Sequence, residues 1–151
     1  MYELKKIVSF FFTWSMIISF ILFYPMLISI YVFFPLLIGI MGYLLIEGIE
    51  KGKVHYIALA VIYFINLEVN LSLPFFLIFI VVLMIYLFIY PSLGYFNECK
   101  ICKPILTVMF IDIVYLLFIL SYDFLFQTTT VILDSILIYS IIVDFLVVIV
   151  L

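Results

Sequence analysis

The sequence predicts an all-α fold: a bundle of about six transmembrane helices with both termini in the cytoplasm. Three observations predict it. Hydrophobic residues make up 71% of the 151 residues, against roughly 45–50% in a soluble domain. Charged residues are only 10%, against roughly 25%, too few to clothe a water-exposed surface. The apolar residues fall into six runs long enough to cross a bilayer, separated by prolines and short polar connections. Disorder is excluded by the same composition, because a disordered chain is poor in hydrophobic residues.

Taken in order, the predicted spans are about Ile7–Tyr24, closed by Pro25; Met26–Ile46; His55–Leu73, closed by Pro74; Phe75–Tyr90, closed by Pro91; Ile105–Phe126, opening just after Pro104; and Thr130–Leu151. The second is the least regular, because Pro35 lies inside it. Either Pro35 kinks one helix, or the helix begins near Pro35 and residues 25–34 lead into it. Gly39 and Gly42 follow and allow close helix contact. Lys5 and Lys6 resemble the start of a signal peptide, but no small-residue cleavage site follows, so the first span is read as a retained helix. No linker or internal repeat divides the chain, so residues 1–151 are read as one integral-membrane domain.

Lysine placement sets the orientation. All six basic residues are lysines: Lys5 and Lys6 before the first span, Lys51 and Lys53 between the second and third, Lys100 and Lys103 between the fourth and fifth. In a six-span chain these three regions share one side, and the opposite connections carry no lysine. The positive-inside tendency makes the lysine side, and with it both termini, cytoplasmic. Six scattered lysines do not form the basic patch that nucleic-acid binding requires.

Five acids fall inside predicted spans: Glu68, Asp112, Asp123, Asp134 and Asp144. A carboxylate at the bilayer centre costs roughly 2.5–3.5 kcal/mol on insertion scales. No lysine lies in a span to pair with them. They must face the bundle interior, take up a proton, bind a cation or meet a partner. The last two spans form an antiparallel hairpin, in which residues at equal depth share an index sum. By that rule Asp112 lies level with Asp144, nearer the cytoplasm, and Asp123 level with Asp134, nearer the outer face. Asp112 and Asp123 are eleven residues apart, within roughly 20° on the helix, whereas Asp134 and Asp144 diverge by roughly 80°. Such pairs can share a proton or hold a cation. Equally, they can be buried polar contacts to Tyr115, Tyr122 or Tyr139, or residues at helix ends. Glu68 sits in Asn66-Leu67-Glu68-Val69-Asn70-Leu71-Ser72, where polar residues alternate just before Pro74. That pattern fits a packed or unwound helix end, either a substrate site or an interfacial cap.

Other chemistry is sparse. Cys99 and Cys102 form Cys-x-x-Cys, but one pair gives two ligands where structural zinc takes four. On the cytoplasmic side they are expected as free thiols. His55 is the sole histidine and is read as interfacial. No phosphate-binding loop or nucleophile set is present. The expectation is a non-enzyme with no cofactor and no metal site.

The layout resembles the MreD family of rod-shape-determining inner-membrane proteins, small bundles of five or six helices. The resemblance is strongest from Pro25 to Tyr90. A proline-containing connection, Pro25 to Pro35, enters the second helix. A short basic loop follows at Glu50-Lys51-Gly52-Lys53. The next helix ends in an acid before a polar stretch, here Glu68 in Ile65–Leu73. The chain departs from the family in carrying Glu68 and asparagines where an aspartate and glycines are usual, and in lacking arginine. The resemblance implies a non-enzymatic scaffold of the peptidoglycan-elongation complex with an MreC-like partner. That family is also similar in fold to the substrate-binding subunits of ECF vitamin transporters. A transport component, either such a subunit or a small cation-coupled carrier using the intramembrane acids, is therefore the alternative.

Overall fold

The computed structural model describes residues 2–31, 34–96, 101–128 and 132–150. Among them the chain is all-helical: α1 (Tyr2–Ile30), α2 (Ile38–Glu50), α3 (Val54–Asn70), α4 (Leu77–Met84), α5 (Cys102–Phe126) and α6 (Ile132–Val150). The backbone continues from α4 through a π-helical turn, Ile85–Ile89, and then a 3-10 turn, Ser92–Phe96. Two helical stretches are long and apolar enough to cross a membrane: Phe11–Ile30, with mean hydropathy 1.9, and Cys102–Phe126, with 2.3.

The first two elements differ from the predicted spans. Pro25 does not end the first helix; α1 runs through it to Ile30. A proline removes one backbone donor, yet the helix continues; three residues before it the Leu22 carbonyl accepts a hydrogen bond from the Asn66 side-chain amide of α3 at 2.6 Å. The second predicted span, Met26–Ile46, is therefore not one helix. Residues 26–30 belong to α1, and α2 starts only at Ile38, beyond Pro35. Pro35 disfavours helical geometry in the residue before it, and Leu37 takes a left-handed conformation with φ 50°, which breaks any continuous path. At 1.5 Å per residue α2 is only about 20 Å long. The remaining helices shift by a few residues at their ends, and α5 begins at Cys102, ahead of Pro104.

Short as it is, α2 is central. It packs against α3, α5, α6 and α4, while α1 lies on α3 and α5 on both α4 and α6. One core of buried side chains draws on all six helices, from Ile21 and Ile28 through Ile46, Phe64, Val82 and Ile111 to Leu137. Two contacts fix α1 parallel to α3: the Trp14 and His55 rings meet at 5.4 Å, and Asn66 reaches Leu22 further along.

The lysine-bearing end is tied together across elements. At the end of α2, Glu50 accepts a hydrogen bond from the Tyr90 hydroxyl and lies 3.5 Å from the Lys103 ammonium. Lys103 in turn stands 4.2 Å above the Tyr90 ring. Lys51 pairs with Glu47 one turn back. The Tyr90 hydrogen bond, with Lys103 beside it, holds the Glu50 carboxyl below its ordinary value of 4.5. A carboxylate whose value falls on folding adds stability above its unfolded value and loses it as pH drops through the folded one. Glu50 is mostly exposed, so the contribution is at most about 1 kcal/mol. We expect Glu50→Gln to lower the melting temperature slightly at neutral pH and to have no effect once the pH is well below 4.5. Thermal melts of both proteins across that range check this, and a difference that persists in acid would refute it.

Candidate functional site

The break before α2 is the most unusual backbone in the molecule, and polar side chains from three helices converge on it. An unwound segment inside an apolar bundle leaves peptide groups without helical partners, each costly unless bonded elsewhere. The Tyr24 hydroxyl of α1 donates to the Pro35 carbonyl at 2.8 Å. Tyr63 of α3 donates to the Leu36 carbonyl. The Leu36 amide donates to the Ser140 hydroxyl of α6 at 2.9 Å. One helical turn further along α6, the Asp144 carboxylate accepts from the Gly39 amide at 2.9 Å and from Ile40.

Asp144 therefore caps the first turn of α2 from another helix. Leu37 occupies the N-cap position and offers no side-chain hydrogen bond, so the open amides, and the positive end of the helix dipole, are met by a carboxylate supplied in trans. Asp112 of α5 approaches the same point. Its carboxyl group also lies against Gly39, so the two acids meet at the start of α2. Asp144 is fully buried and Asp112 is 5% exposed. Asp112 Oδ2 and Asp144 Oδ1 have no hydrogen-bond donor. The approach depends on Gly39: a Cβ there would stand 2.7 Å from both Asp112 oxygens and 2.6 Å from Val108 Cγ1.

A second carboxylate acts in the same way on α4. Glu68, fully buried near the end of α3, accepts from the Phe76 amide at 3.0 Å and from Ile78 at 3.2 Å. Phe76, the N-cap residue, is left-handed at φ 64° and supplies no cap of its own. Of the two readings of this stretch, the geometry is that of a helix cap, with the carboxylate buried in the bundle.

The structure thus brings Asp112 and Asp144 together and keeps Glu68 apart with its own helix. Asp123 lies near the end of α5, half-buried, and accepts from Thr128 at 3.1 Å. Asp134 is the third residue of α6, and its side chain lies outside the described residues, so the expected Asp123–Asp134 pair does too. The Tyr115 hydroxyl is buried without a hydrogen-bond partner and so does not serve Asp112. Cys102 is disulfide-bonded, contrary to the free thiol expected from the sequence; Cys99 lies outside the described residues.

Sequence reasoning missed Ser140, Tyr24 and Tyr63. One signal for Ser140 was present: it stands four residues before Asp144, so the two share a helix face. The tyrosines carried none, being two of twelve.

A cavity of about 370 Å³ opens between α2, α5 and α6 toward the lysine end, lined by Ile40, Tyr43, Leu44, Glu47, Pro104 and Val148. Neither acid lines the cavity, but two of its lining residues neighbour the pair: Ile40 follows Gly39, whose amide donates to Asp144, and Val148 lies one turn beyond Asp144 on α6. Sharing Ile40 and Leu44 of α2 with that cavity, a shallower apolar groove of about 910 Å³ runs between α1, α2 and α3, past Phe12, Trp14, Phe20, Met41, Tyr56 and Leu59.

Comparison of the chain with models of protein families, with curated proteins and with solved structures gives no match.

Proposed function

We propose that the chain is a multi-pass protein of the bacterial inner membrane, crossing the bilayer six times with both termini in the cytoplasm. In this reading it catalyses no reaction. It is a scaffold of the MreD kind, holding the membrane helix of an MreC-like partner in the peptidoglycan-elongation complex. The observation that carries the reading is the groove between α1, α2 and α3, concave, almost wholly apolar and rimmed by aromatic side chains. Lipid tails cover a convex helix surface well; a groove of this length suits a helix laid into it, where van der Waals packing drives association. The joining of Glu50, Tyr90 and Lys103 at one end supports a common side for the second and third lysine regions.

The unwound segment favours the alternative, a transport component. Broken helices whose half-helix ends meet charged groups near the bilayer midplane recur in carriers. One experiment separates the two. On depletion, the scaffold reading expects rod-shaped cells to round up, and an MreC-like protein to co-purify in mild detergent. Met41→Trp, which fills the groove, should abolish that co-purification while the protein still folds. Normal shape with loss of uptake of one solute would overturn the scaffold reading for the transport one.

A further inference from the structure

We propose that Asp112 and Asp144 together bind a single proton, loaded from the lysine-bearing end through the cavity between α2, α5 and α6. The inference stands whether the chain is a scaffold or a carrier. It begins from an imbalance. Two buried carboxyl groups meet at Gly39, and one oxygen of each has no donor. With both ionised, like charges would touch at a site almost closed to water, where their repulsion is weakly screened. One proton between the two groups supplies the missing donor and lowers the pair from two negative charges to one.

The surroundings account for the charge that remains. The amides at the start of α2, Gly39 and Ile40, donate to the pair, and a helix N-terminus favours one negative charge. The other polar groups facing the site are already engaged or neutral. Tyr24 of α1 and Tyr63 of α3 spend their hydroxyl protons on Pro35 and Leu36. Ser140 of α6 accepts from Leu36, and Tyr139 is exposed. Among the described residues no lysine or histidine faces the pair, so no cationic side chain can take the place of the proton. A metal ion is the weaker fit, because no group of three or more His, Cys, Asp or Glu gathers among the described residues.

Access follows from burial. Asp144 is sealed, whereas Asp112 keeps 5% of its surface open. The cavity at the lysine end reaches Ile40 and Val148, which border the pair, and carries Glu47 on its wall. A proton enters along that cavity, binds between the carboxyl groups, and leaves by the same path; no bond other than the O–H bond forms or breaks.

Infrared spectroscopy of the purified full-length protein in detergent tests this. Wild type should show one protonated-carboxyl band at neutral pH that disappears reversibly in alkali. Asp112→Asn and Asp144→Asn should each abolish it, because the remaining carboxylate then has an amide donor and ionises; Glu68→Gln should retain it. Isotope-labelled aspartate should shift the band in folded wild type, which keeps the test decisive even where an asparagine variant fails to fold. Leu44→Trp, filling the cavity, should slow exchange of the band in heavy water severalfold. Absence of the band at neutral pH, a band that labelled aspartate does not shift, or one that survives both asparagine variants would overturn the proton site. Unchanged exchange in Leu44→Trp would overturn the route.

Discussion

Gly39→Ala is expected to leave little folded protein. The added methyl would lie 2.6 Å from Val108 Cγ1 and 2.7 Å from both oxygens of Asp112. Neither neighbour can retreat cheaply: Val108 is β-branched and buried, and Asp112 is buried where the two acids meet at the start of α2. α2 and α5 must part, and the acid pair loses the amide that serves it. Overpacking together with a lost charge-assisted hydrogen bond costs on the order of 3–5 kcal/mol, much of the roughly 5–15 kcal/mol that holds a typical protein folded. Gly94→Ala is the control, since a Cβ there meets nothing within 4 Å. Thermal unfolding in detergent checks both. A Gly39→Ala protein that melts like Gly94→Ala would show that the close approach of α2 to α5 is wrong.

The second large effect is expected at Glu68. Replacement by alanine strips the buried amides of Phe76 and Ile78 of their acceptors. At about 1–3 kcal/mol for each buried donor left unsatisfied, the loss is roughly 2–5 kcal/mol. It should concentrate in the first turn of α4. Glu68→Gln keeps one acceptor and should fall between. Amide hydrogen exchange at Phe76 and Ile78 is the sharpest readout: both should lose protection in Glu68→Ala ahead of the α3 core. Read as peripheral, Glu68 would be replaceable at no cost to the fold. Its complete burial reverses that expectation, so weakened partner binding in Glu68→Ala could not by itself identify a docking residue. Protection unchanged at both amides would refute the cap.

The helical class was legible in bulk composition, and the helices with a proline or a charged loop at their ends were legible to within a few residues. Those signals are local. Pro74 follows the end of α3 at Asn70, and Pro91 follows the π-helical turn that ends at Ile89. Pro25 carries the same residue type but lies inside α1, which runs on to Ile30. The break before α2 was open as one of two readings of Pro35. What decides it is remote: Ser140 and Asp144, over a hundred residues later, bond the amides of Leu36 and Gly39. The meeting of Asp112 with Asp144 followed from depth alone, since an antiparallel hairpin fixes level positions. Their convergence on Gly39 did not, because nothing in the sequence says which third helix faces a hairpin. Neither α2 nor α4 has a capping residue of its own. Capping rules read neighbours in sequence, and both caps here arrive from another helix.

That dependence of α2 on α6 bears on how such a chain is assembled. On the six-span reading, the ribosome delivers α1 through α5 to the membrane first. Until α6 follows, the amides of Leu36 and Gly39 lack the acceptors that Ser140 and Asp144 supply, and in hydrocarbon an unbonded amide is expelled toward water. The short second helix must therefore wait at the lipid headgroups, or beside the insertion machinery, while four later segments are synthesised. Only α6, carrying Ser140 and Asp144 together on one face, lets it settle at the centre. An early helix is thus locked by one made much later, so an unseated second helix marks a chain in which α6 has not yet docked.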